Sequence, residues 1–123
     1  MIENYRLFEA GPDPFGRTWN VEFRWQQTAI SIRHSDSVDV KFQISRGEDV
    51  QEKVIALMLP DLMALSTKAG RAISDAWCMK LAALHLKSMI ETDKDMEKTL
   101  VTASLEDLER ANAQLEESVP ATT

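Results

Sequence analysis

The chain holds a single cysteine, Cys78, in 123 residues, so no disulfide can form within it. That excludes a disulfide-stapled scaffold and suits a reducing, cytoplasmic setting. There are two histidines, His34 and His85, which is little for a clustered metal site. The four glycines, at positions 11, 16, 47 and 70, are scattered, and no GxGxxG or P-loop pattern occurs. Without closely spaced glycines the backbone does not approach phosphates as a nucleotide loop requires. The longest apolar run, residues 54–59, is strand-sized. It falls far short of the roughly 20 residues that cross a bilayer. Residues 1–10 are polar, with Glu3, Arg6 and Glu9, and have no apolar signal core. The expectation is a cytoplasmic protein with no cofactor, no metal and no membrane contact.

What is present is globular. The composition is 44% hydrophobic and 28% charged, and the length suits one domain with its own core. The net charge of −6 is uneven. Residues 92–123 carry eight acidic and three basic side chains, a net of −5, which leaves −1 for residues 1–91. The acidity belongs to the C-terminal segment, so the overall charge argues only weakly against nucleic acid.

Residues 1–17 read as a lead-in in which Tyr5, Leu7 and Phe8 can anchor a short strand, followed by a loop at residues 11–16. Period-two alternation then puts Trp19, Val21, Phe23 and Trp25 on one face of a strand at about 18–26. Further strands are expected at about 28–34, 38–44 and 53–59. Apolar positions are odd in the first strand and even in the second, which implies an even loop at Gln26-Gln27, with Phe23 facing Ile30. Ser35-Asp36-Ser37 suits a three-residue turn that sets Ile32 opposite Val40. The fourth strand is apolar on both sides, so cover on both sides is expected, from the C-terminal helix or a second subunit.

After Pro60 the period becomes helical. Helices are predicted at about 61–70, 74–91 and 105–117, with Ser74 capping the second and Ser104 with Asp107 opening the third. Residues 92–102 read as a break or frayed turn, and 118–123 as a disordered tail. The fold class is therefore α+β: a four-stranded antiparallel meander, then two or three helices packed on its Trp19/Phe23 face, all within residues 1–117.

No catalytic constellation emerges. Cys78 and His85 lie two turns apart on one helix, too far to chelate one ion, and read as a small core residue and a boundary residue. His34, with Asp36 two residues on, reads as a rim histidine set against Trp19, with no third partner for nucleophilic catalysis. Asp39 is matched to Arg33 on the solvated face. The aromatic stripe invites a base-stacking reading, but its interleaved cations Arg24, Arg33 and Lys41 fall on the opposite face. The polar candidates are thus Arg24, Arg33, His34, Asp36, Asp39 and Lys41. Val54, Ala56, Met58, Met79, Leu86 and Met89 are the candidate apolar interface. Four meandering strands followed by a helix opening at Leu59-Pro60-Asp61-Leu62 resemble, in element order over about residues 18–70, the Whirly-type single-stranded-DNA-binding coactivators. That resemblance implies a dimeric strand–helix domain that touches nucleic acid.

Three functions are carried forward. The first is a non-enzymatic interaction or regulatory domain acting as a homodimer, with a possible protein partner through its helices. The alternatives are a single-stranded nucleic-acid-binding module, with Arg24, Arg33, Lys41 and either Arg46 or Lys53 gathered on one surface, and a small-ligand binder between sheet and helices.

Overall fold

The structure is a computed structural model that describes residues 2–29 and 36–118. Its elements run β1 (Leu7–Ala10), β2 (Trp19–Ala29), β3 (Ser37–Arg46), β4 (Asp49–Met58), α1 (Leu59–Ala69), α2 (Asp75–Thr92), β5 (Leu100–Ala103) and α3 (Leu105–Ser118). The strands form one sheet in the order β1-β2-β3-β4-β5. The first four make an antiparallel meander, and β5 lies parallel to β4. A parallel neighbour needs a long crossover, and α1 with α2 supplies it.

The α+β class and the four-stranded meander agree with the sequence, but the sheet has five strands and its register differs. β2 does not turn at Gln26-Gln27. It continues to Ala29 and pairs directly with β3, so that Phe23 faces Phe42 and Val40 faces Gln26. Gln-Gln has neither the glycine or asparagine that a tight hairpin turn prefers nor a proline to stop the ladder. The parity change that suggested a loop is a β-bulge between Phe23 and Trp25, with Arg24 as the extra residue. Residues 30–35, most of the strand expected at 28–34, lie outside the described residues. β4 starts at Asp49, ahead of the expected 53. β5 was expected as a break; four residues after a charged run carry too short an alternation to be read as a strand.

One sheet face carries the core. Val21, Phe42, Ile44, Ile55 and Leu57 are fully buried there, beneath Leu62 of α1 and Leu81 and Leu86 of α2. α2 is buried at eleven of its eighteen positions because the sheet lies on one side and α3 on the other. α3 covers the apolar surface that α2 turns away from the sheet. Ser74 caps α2 by accepting from the Trp77 amide at 3.2 Å. Ser104 and Asp107 form a reciprocal capping box at 3.0 and 3.1 Å. Between α2 and α3, the Trp77 indole donates to Asn112 Oδ1 at 3.1 Å.

The loop before β2 is organised on Asp13. Its carboxylate accepts from the Phe15 amide at 2.9 Å, the Arg17 amide at 2.9 Å, Arg17 Nε at 2.7 Å and the Trp19 indole at 3.2 Å. Gly11 makes this loop possible: at φ 130, a Cβ there would meet Arg17 O at 2.7 Å.

Candidate functional site

The bulge at Arg24 decides what β2 presents. Before it, Trp19 and Val21 are buried on the helix side and Phe23 packs edge-on to Phe42, with centroids 6.1 Å apart. After it, Trp25 pairs with Lys41 on the outer face, the one turned away from the helices. There Lys41 Nζ lies 5.7 Å from the Trp25 ring centroid, and the indole is 38% exposed. Trp25 thus leaves the stripe on which the alternation placed it. Gln26 takes the helix side instead, and its Nε2 donates to Asp75 O at the start of α2, at 3.2 Å.

The same bulge marks where β1 stops covering β2. β1 pairs with β2 from Trp19 to Glu22, and the Phe23 amide donates to Arg6 O at 2.8 Å. Beyond that, among the described residues, no strand pairs with residues 24–29 on the side away from β3. Every second N–H and C=O of this stretch points to that free side. Residues 25–29, Trp-Gln-Gln-Thr-Ala, carry no charge. They form a free edge about 17 Å long at ~3.4 Å per residue.

Beside this edge lies a cleft of about 640 Å³ between β2 and the start of α2. Phe23, Val38 and Met79 give it apolar walls, Arg6 and Asp75 its charges. The Arg6 guanidinium sits 5.1 Å from the Phe23 centroid.

The sequence-derived interface residues divide. Val54, Ala56 and Met58 follow the outer-face alternation of β4, next to Leu100 of β5, which is 60% exposed. Met79, Leu86 and Met89 are buried in the core cluster, and only Met79 reaches the cleft. The two triplets do not share a surface.

Among the described residues, the polar candidates do not converge either. Arg24 pairs with Glu22 at 3.5 Å in the open, and Lys41 with Glu52 at 2.9 Å. Asp39 accepts from the Ser37 hydroxyl at 3.0 Å, and the Asp36 carbonyl accepts from the Leu59 amide at 2.8 Å. Arg33 and His34 lie outside the described residues. Arg46 stands over the Trp19 ring at 5.8 Å. Lys53 faces the helix side, is 3% exposed and donates to the carbonyls of Met96 at 2.5 Å and Lys98 at 2.7 Å. Burial pulls the Lys53 ammonium below its usual range, against the charge of Glu97. It ties β4 to the segment before β5 and does not face solvent.

The buried titratable groups of α2 serve the core. Burial pushes the Cys78 thiol up to about 11, and Asp75 adds to it. Burial holds the His85 imidazole below its usual value, against the pull of Asp107, so His85 is a core residue rather than a boundary one. Among the described residues, no group of three or more His, Cys, Asp and Glu is placed to hold a metal ion. Among them too, no helix is long and apolar enough to cross a membrane.

Sequence reasoning misses Gln26, Gln27 and Thr28 as an edge, because it reads Gln26-Gln27 as a turn and Thr28 as the start of the next strand. The available signal was a charge-free pentapeptide placed where the apolar parity changes. Comparison with protein-family models, with curated proteins and with solved structures finds no match to the chain.

Proposed function

We propose that the protein is a non-enzymatic interaction domain that works as a homodimer in the cytoplasm. The observation that carries this reading is the free, uncharged edge of β2. An unguarded edge is a template for another strand, and natural edges are commonly guarded by charge or proline. Trp25 beside it supplies the aromatic surface that interfaces favour. The lone buried Cys78 suits a reducing compartment. Among the described residues, Arg24 and Lys41 are paired with carboxylates and Lys53 is buried, which favours a protein partner over a phosphate backbone.

Light scattering at tens of micromolar tests the reading. A particle of twice the 13.9 kDa chain mass supports it, and a single-chain mass contradicts it. A shift with single-stranded DNA that weakens with salt would favour the nucleic-acid alternative instead.

A small-ligand site is a second reading, favoured by the cleft itself. Its volume of about 640 Å³ falls in the range of ligand pockets, and Arg6 is its cationic anchor. Chemical-shift changes confined to Phe23, Val38, Ala76 and Met79 in a fragment screen would support it. A screen that leaves these four unmoved would count against it.

A further inference from the structure

We infer that two copies of the chain join through their β2 edges, antiparallel about a two-fold axis at Gln27, so that two five-stranded sheets continue as one. The inference rests on the homodimer reading above and supplies its interface.

The phase of the strand selects this register. The Phe23 amide points towards β1, where it donates to Arg6 O. The extra residue at Arg24 shifts the phase, and Trp25 becomes the residue paired with Lys41 through β3. Alternation then turns the N–H and C=O of Gln26 and Thr28 to the free side. With the axis at Gln27, Gln26 meets the partner's Thr28, and Thr28 the partner's Gln26. Each is a pair that exchanges both backbone hydrogen bonds.

The side chains fit the same register. Trp25 falls opposite the partner's Ala29, a large side chain against a small one, on the outer face where the indole is now 38% exposed. Gln27 falls opposite itself. No charge stands anywhere in residues 25–29, so the edge meets its own copy without repulsion. The charged neighbour Arg24 lies beyond the paired segment and is already matched to Glu22.

Gln27 on the axis gives a specific test. Its side chain is exposed, so a charge there leaves the fold intact. Gln27→Lys and Gln27→Glu each place two like charges at a close, non-hydrogen-bonded pair. Each variant alone should dimerise several-fold more weakly than the wild type in sedimentation equilibrium. An equimolar mixture of the two should recover wild-type association, because lysine then faces glutamate. A wild-type dimer whose strength neither variant changes would overturn the β2 interface while leaving the homodimer reading standing. A wild type that stays at 13.9 kDa would overturn both.

Discussion

The ring of Trp25 lies 5.7 Å from Lys41 Nζ on the sheet face away from the helices, although Trp19 and Val21 of the same strand are buried beneath the helices. One extra residue, Arg24, produces this reversal, because side chains alternate with period two. The bulge therefore sets both the exposed indole and the phase of the free edge.

Deleting Arg24 removes the extra residue, so simple alternation should leave Trp25 opposite Lys41 on the outer face and Gln26 on the helix side beside Asp75. A stability change of less than about 1.5 kcal/mol in urea unfolding is expected, because no side chain changes face. Arg24→Ala keeps the bulge and removes only an exposed 3.5 Å ion pair. It should change stability by less than about 0.5 kcal/mol. Loss of the Trp25–Lys41 pairing in the deletion variant would contradict the role given to the bulge.

Trp77 and Asn112 join α2 to α3 through one buried hydrogen bond of 3.1 Å. Trp77→Phe removes packing and leaves the Asn112 carbonyl without its donor. It should cost about 2–4 kcal/mol. A double-mutant cycle with Asn112→Ala should return a coupling of about 1 kcal/mol. A coupling near zero would show that the bond does not hold α3 in place.

Lys53 is expected to anchor β5. Lys53→Met fills the same space but leaves the Met96 and Lys98 carbonyls without a donor. Amides of residues 99–103 should then exchange faster, with a stability loss of about 1–3 kcal/mol. Unchanged exchange at β5 would place the anchor elsewhere.

Asp13 gives a pH signature. Burial disfavours its charge, but hydrogen bonds from the Arg17 amide, the Trp19 indole, the Arg17 guanidinium and the Phe15 amide outweigh it and lower the carboxyl from 3.8 to about 2. The unfolded chain binds this proton at higher pH than the folded one does. The stabilisation is thus complete above about pH 4 and is lost as pH falls towards about 2. The stability gap between wild type and Asp13→Asn should be flat above pH 5 and close as the pH approaches 2. A gap that widens on acidification would contradict the assignment.

Much of the fold was legible. The helices appear close to where their apolar period and the caps Ser74 and Ser104 place them, because capping and burial act over a few residues. The register of the sheet was not legible. A loop and a bulge change parity in the same way, and the choice between them depends on whether β3 is available to pair with Gln26 and Gln27, a long-range fact. β5 escaped for a similar reason. Its Val101 and Ala103 are buried only because β4 and the helices are there to cover them. The free edge of β2 inherits that difficulty, since an edge is defined by where β1 ends.

Hydrogen exchange at the Gln26 and Thr28 amides, followed as a function of protein concentration, tests the β2-edge dimer most directly. Exchange at both should slow as the protein is concentrated and quicken on dilution, while amides on the open side of β5 stay unchanged. Rates at Gln26 and Thr28 that do not depend on concentration would contradict the account.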